Sequence, residues 1–306
     1  LDLQDNGGGL LSVAQQLADE FLSEEKLIVF SKGRTQPRQN LKAGNKGLWE
    51  KGELVILVNE YTASASEIVS GAVQDWDRGI IVGRRTFGKG LVQRPIRLID
   101  GSEMRLTIAR YYTPTGRFIQ KSYDDLKSYK NDISQRFLNG ELMHQDSVKL
   151  PDSLKFKTLV KGREVYSGGG IMPDYFVAID TSDISSYYKK VNRGGHLNGF
   201  ALKYANTNRS QIKQAYPEFI NFKKNFKIDK EIMDEFVNYV INEDSTIVFD
   251  KIEFETSKKL IELRLKANIA LNIWEYAQFY EVFNRRNEEL QKAIELLNSG
   301  KDLFKN

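Results

Sequence analysis

Two short, wholly apolar runs stand out in the first third of the chain, Leu54-Val55-Ile56-Leu57-Val58 and Ile80-Ile81-Val82. Uninterrupted runs of this kind, bounded by turn residues, predict strands buried on both faces. Between them Ile68, Val69, Ala72, Val73 and Trp76 recur at helical spacing and predict a helix opening near Ser64. Upstream, Leu1-Asp2-Leu3-Gln4 reads as the end of a core strand, apolar positions from Leu10 to Phe21 keep helical period, and Leu27-Ile28-Val29-Phe30 predicts another strand. Residues 31–52, with Gly44-Asn45-Lys46-Gly47, are polar and read as an exposed hairpin or loop. Downstream, Leu91–Leu98 and Glu103–Tyr111 alternate as strands around the turn Ile99-Asp100-Gly101-Ser102, and Thr113-Pro114-Thr115-Gly116 turns the chain again. Residues 121–157 are charged and aperiodic, a surface excursion with a short helix near Asp132–Leu138, and Gly168–Asp174 leads into a strand over Tyr175–Ile179.

From about Ser182 the period changes from two to 3.6. One helical stripe runs over Ile228–Ile241, with Asp229 as its cap, and a longer one runs from Thr256 or Ser257 to Phe283. Its aromatic positions read as core rather than as a cofactor box. The fold class expected is therefore α/β (α+β): a mixed sheet core with flanking helices over 1–181, then an all-α region over 182–306 with a structural or docking role.

Composition narrows the chemistry. The chain has 306 residues, enough for a substantial core, and its 45 basic residues are dispersed among 41 acidic ones. No dense basic stripe points to nucleic acid, and no run of about 18 apolar residues points to a membrane span. The first residues carry no signal-peptide pattern and look like a chain cut upstream, so they say little about compartment. There are no cysteines, which removes thiol nucleophiles, disulfides and Cys-type zinc sites. His144 and His196 lack acidic companions at ligand spacing and read as surface or loop residues. A hydrolase built from this chain must do without histidine, which favours lysine as base.

Ser64-Ala65-Ser66-Glu67 at a helix start, followed by Thr86-Phe87-Gly88-Lys89-Gly90, is material for a Ser/Lys hydrolase. The same serine segment is also a capping box, and position alone does not separate the two. Asn6-Gly7-Gly8-Gly9 before a helix suits an oxyanion, or is simply a tight turn needing positive φ. Asp75 and Asp77 stand at the wrong helix end for its dipole and read as solvated surface, with a buried polar network as the other option. Gly83–Lys89 nearly matches a phosphate-binding P-loop, but Gly90 replaces the hydroxyl residue, and strand alternation follows where a helix is required.

Taken together, Ser64-Ala65-Ser66-Glu67-Ile68 with Asp75, then Thr86-Phe87-Gly88-Lys89-Gly90-Leu91-Val92-Gln93, resemble the catalytic signature of carboxyl-terminal processing (tail-specific) proteases, the S41 serine peptidases. The interval of 25 residues from Ser64 to Lys89 (89 − 64) is that family's spacing and selects Ser64 over Ser66. Asp2–Gly9 resembles its Asp-Leu-Arg-x-Asn-x-Gly-Gly segment with Gln4 in the arginine place, and Gly169–Asp174 resembles the stretch closing its core, which is of the ClpP/crotonase-like kind. The match covers roughly residues 1–180 and lacks the PDZ domain and N-terminal helical segment usual in the family. The resemblance implies Ser64 as nucleophile, Lys89 as general base with a proton-free amine, and Gln93 orienting the lysine. It implies Gly8 or Gly9 with Ala65 as the oxyanion hole, and Glu67 and Asp75 in a supporting polar shell. No metal or cofactor is implied. Protein or peptide tails are the implied partners, with a homo-oligomer left open, and the bacterial periplasm or cell envelope is the implied location. The alternative is a protease-like scaffold that binds peptides without cutting.

Overall fold

The computed structural model describes residues 1–304 except Asn45 and Lys149. Asn45 of the expected loop over 31–52, Lys149 of the expected excursion over 121–157, and the last two residues of the region expected over 182–306 lie outside the described residues. The chain divides into two compact units, Leu1–Ile179 with Glu288–Asn306, and Asp180–Asn287.

The first unit runs α1 (Leu11–Asp19), β1 (Leu27–Lys32), β2 (Gln39–Lys42), β3 (Val55–Val58), α2 (Ala65–Asp75), β4 (Ile80–Gly83), β5 (Leu91–Arg97), β6 (Glu103–Tyr112), α3 (Leu126–Leu138), β7 (Lys155–Lys157), β8 (Glu164–Tyr166) and β9 (Tyr175–Phe176). The two apolar runs become β3 and β4, parallel neighbours in the order β3-β4-β9, paired from Val55 with Ile80 to Val58 with Gly83. The start of the chain lies along the other edge of β3, where the Leu3 amide donates to Leu57 O and the Leu57 amide to Leu1 O, both at 2.9 Å. Because side chains alternate along a strand, Ile56, Val58 and Ile81 pack with α1 and α2, while Val55, Leu57, Ile80 and Val82 pack on the opposite face. An antiparallel sheet, β2-β1-β6-β5, leaves β5 at its edge. Pro95 is tolerated there because an edge strand need not donate on both sides. The turn over 98–102 closes with the Leu98 amide on Ser102 O at 2.9 Å and Gly101 at φ +83°.

The excursion over 121–157 departs from its surface reading. α3 begins at Leu126, capped by Asp125, and Lys121, Arg136, Glu141 and Leu142 are buried. The strand expected over Tyr175–Ile179 is only the two residues of β9.

The second unit is helical: α4 (Ser186–Arg193), α5 (His196–Ala215), α6 (Phe219–Asn225), α7 (Lys230–Glu243), α8 (Lys251–Ile273) and α9 (Tyr276–Phe283). Asp229 caps α7 as expected, accepting the Ile232 amide at 3.0 Å. The stripe expected to run unbroken to Phe283 is two helices, since Trp274 leaves helical geometry and its ring packs 5.5 Å from Phe219 and 4.9 Å from Phe222. His196 is no loop residue: it opens α5, with its ring 6.4 Å from Tyr239. The chain then re-enters the first unit as α10 (Glu288–Asn298), whose Ala293 joins Leu303 against the second face of β3 and β4. Among the described residues no helix is long and apolar enough to cross a membrane.

Candidate active site

A cavity of about 470 Å³ is lined by Gly8, Gly9, Ser64, Ala65, Lys89 and Gln93, with Leu10, Ile68, Leu91 and Pro95 among its apolar walls. Six of the eight sequence-selected site residues thus share one space; Glu67 lies beneath it and Asp75 lies elsewhere. The topology explains the convergence. Ser64 follows β3 and Lys89 follows β4, so the carboxyl ends of two parallel neighbours deliver both groups to the same edge of the sheet, where open α/β sheets place their ligands. Gln93 comes from the edge strand β5, whose Leu91, Val92, Gln93 and Pro95 line the cavity, with a register irregularity between Val92 and Gln93. Neither histidine lines it. β5 also follows the Gly83–Lys89 segment directly, whereas a P-loop needs a helix there.

Ser64 holds a backbone that a residue with a Cβ rarely adopts, φ +58° and ψ −117°. Such strain persists only where the surroundings over-determine it. Here the Ser64 amide donates to Glu67 Oε2 at 2.8 Å, and its carbonyl accepts from the Glu67 amide at 2.9 Å and from Tyr111 Oη at 3.0 Å. The Tyr111 hydroxyl also reaches the Lys89 carbonyl, so one buried phenol bridges the backbones that carry serine and lysine. Burial, and then the Glu67 charge, push this phenol well above its ordinary value and keep it a donor.

Glu67 ties the same two segments from below. Fully buried, its carboxylate accepts the Ser64 amide, the Lys89 amide at 2.8 Å, the Gly88 amide at 2.7 Å and the Thr86 hydroxyl at 2.5 Å. Burial raises its pKa from the ordinary carboxyl value, and the four donors pull the other way. The expected capping box is therefore made, and its glutamate orders the Lys89 loop as well as the helix. The Lys89 side chain is half-buried, and among the described residues no carboxylate stands within 4 Å of its Nζ.

On the opposite wall, Gly8 lies against the start of α2. Its own amide is occupied by Asn6 Oδ1 at 2.9 Å, an oxygen that also accepts from Ser66 Oγ at 2.9 Å. Among the described residues the Gly9 and Ala65 amides have no partner, which separates Gly9 from Gly8 as a donor into the cavity. Gly8 sits at φ +89°, and a Cβ there would stand 2.6 Å from both Ala63 O and Ala65 N. Gly8→Ala is expected to cost about 1–3 kcal/mol from the positive φ and the backbone clash, read as a lower urea midpoint with unchanged slope. An unchanged midpoint would mean that this wall stands farther from α2.

Asp75 closes the far end of α2, roughly 15 Å along the axis at 1.5 Å per residue. It is fully buried, ion-paired to the equally buried Arg117, and accepts the Thr115 amide at 2.8 Å and hydroxyl at 2.7 Å. Asp77 is buried too, with Arg163 Nε at 2.7 Å. The solvated reading of both acids is thus overturned, because arginines from later in the chain neutralise them. Tyr111, Asn6 and Arg136 were missed as site residues; of these only Asn6, inside the glycine motif, carried a sequence signal.

Comparison with known proteins finds the following similarities. A model of peptidase family S41 matches residues 1–128, and a family of unknown function, DUF8443, matches residues 187–275. The chain is 44% identical over 121 residues to a carboxyl-terminal-processing protease of Picosynechococcus, covering 40% of this chain and 29% of that protein. It is 46% identical over 123 residues to a carboxy-terminal-processing protease of Bartonella bacilliformis, covering 39% and 28%. The solved photosystem II D1 C-terminal processing protease aligns at 42% identity over 39% of this chain and 31% of that one, with a TM-score of 0.37. The chain spans between a quarter and a third of the length of these relatives. The similarity to peptidase family S41 thus lies in residues 1–128, the part of the chain that carries Ser64, Lys89 and Gln93.

Proposed function

We propose that the chain is a serine endopeptidase of the C-terminal processing type, with its catalytic core in 1–181, acting on the tails of protein substrates in the bacterial periplasm or cell envelope. Ser64 attacks the scissile carbonyl and Lys89 takes its proton, then returns it to the leaving amine. Gln93 orients the lysine. The Gly9 and Ala65 amides hold the oxyanion, an interaction worth about 3–4 kcal/mol per donor in comparable sites. Water then releases the acyl group from Ser64 by the same base. The observation that carries this reading is that serine, lysine, glutamine and two unpartnered amides line one cavity. The location rests on resemblance to bacterial relatives.

A fluorophosphonate probe tests it. The expected result is a single covalent label, mapped by mass spectrometry to Ser64 and lost in Lys89→Ala. No label on the folded protein, or labelling indifferent to Lys89→Ala, favours a peptide-binding scaffold instead.

A further inference from the structure

The segment Arg85–Gly90 has no regular secondary structure, so each of its buried backbone groups needs a partner from outside. On the amide side, Thr86 donates to Ile171 O, Phe87 to Thr62 O, Gly88 and Lys89 to Glu67, and Gly90 to Gln120 Oε1. On the carbonyl side, Gly88 accepts from the Lys121 amide, and Lys89 and Gly90 accept from Tyr111. The three remaining carbonyls meet one side chain. Arg136 Nη1 donates to Arg85 O at 3.2 Å and Thr86 O at 2.8 Å, and Nη2 donates to Phe87 O at 3.3 Å.

We propose that Arg136, supplied by α3, is a positioning residue for Lys89: its guanidinium holds the carbonyl side of the base-bearing loop while the Glu67 carboxylate holds the amide side. The inference rests on reading Lys89 as the base. The Lys89 amine has no ion-pair partner among the described residues, so its position depends on the backbone that carries it as well as on Gln93. Whatever fixes peptides 86–88 therefore fixes where the amine starts from. A planar fork with several donors spans successive carbonyls, which a lysine ammonium cannot do. The side chain is only 3% exposed, and its Nε lies 2.9 Å from Asp132 Oδ2, one turn back on α3, which aims the fork at the loop. Burial, and then the neighbouring Arg85 cation, lower the guanidinium from its ordinary value. Simple anchoring of α3 is already met by Asp132 with Lys121 at 3.0 Å and by Glu141 with Arg85 at 2.6 Å, and would not need the fork directed at carbonyls.

The test compares Arg136→Ala, Arg136→Lys and, on the exposed face of the same helix, Lys130→Ala. A base displaced by about 1 Å costs on the order of 100-fold in turnover. Both Arg136 variants are therefore expected to lose about that much kcat, with KM within about threefold. Amide exchange at Gly88 and Lys89 should rise about tenfold or more, with β3, β4, α5 and α8 unchanged. Guanidinium ion should return part of the kcat of Arg136→Ala and leave Lys130→Ala as it was. Arg136→Lys with wild-type turnover and exchange overturns the proposal, as does exchange that rises equally through β3 and β4 in both variants. Should hydrolysis prove independent of Ser64 or Lys89, the functional reading fails, and the exchange at Gly88 and Lys89 still decides whether Arg136 holds the loop.

Discussion

Ser64→Ala and Lys89→Ala should each lower kcat for a peptide substrate by about 10⁴–10⁶, or about 5–8 kcal/mol at 1.36 kcal/mol per decade, with little change in KM. Both residues line the same cavity. Lys89 makes no ion pair among the described residues, and Ser64 holds a strained backbone at a cavity edge rather than a relaxed cap. Groups that act as one unit are not additive, so Ser64→Ala with Lys89→Ala should be no slower than the worse single variant. Stability should stay within about 0.5 kcal/mol of wild type, as for half-exposed side chains without buried partners. Steady-state kinetics beside a urea titration reads all four quantities. A Lys89→Ala enzyme retaining a tenth of the wild-type rate, or a double variant falling by the product of the two losses, would remove the lysine from proton transfer.

How much of this is legible in the sequence depends on the range of each interaction. Apolar runs fixed β3 and β4, and the stripe Ile68–Val73 fixed the α2 face that meets the core, because both signals are local. The opposite side of α2 was not legible. Ser66, Glu67, Ser70, Gln74 and Asp75 are polar yet buried, and their partners, Asn6, Thr86, Arg117 and the Lys89 loop, lie far off in sequence. Pattern reading assigns such residues to solvent because it prices burial without seeing the compensating charge. The same limit hid Arg136, which belongs to a charged, aperiodic stretch and is placed by Asp132 and three carbonyls. It also hid the return of α10, whose apolar face is ordinary and whose destination is set by the free side of the β3–β4 sheet. The site chemistry was more legible than its scaffold, since Ser64, Lys89, Gln93 and the glycines sit at short, fixed intervals from two strand ends.

Asp75→Ala is expected to destabilise the protein by about 3–5 kcal/mol, the cost of stranding one member of a buried ion pair. Asp75 and Arg117 are both fully buried, so solvent cannot take over when the carboxylate goes. Arg117 would keep only Tyr166 O and Gln74 Oε1, each at 3.1 Å, and the Thr115 amide would lose its acceptor. Against a total of about 5–15 kcal/mol for a typical domain, that loss is a large fraction of the whole. The Asp75→Leu, Arg117→Met double variant should recover most of it, because exchanging a buried pair for apolar groups of similar volume is often neutral. Trp76 adjoins Asp75, and its indole donates to Leu27 O at 2.7 Å, so its fluorescence reports unfolding of this unit. Catalysis in folded Asp75→Ala protein should fall far less than in Ser64→Ala, since Asp75 touches no group lining the cavity at Ser64. A loss of stability under about 1 kcal/mol, the range of an exposed pair, would show that water reaches this end of α2 and that the ion pair is not closed in solution.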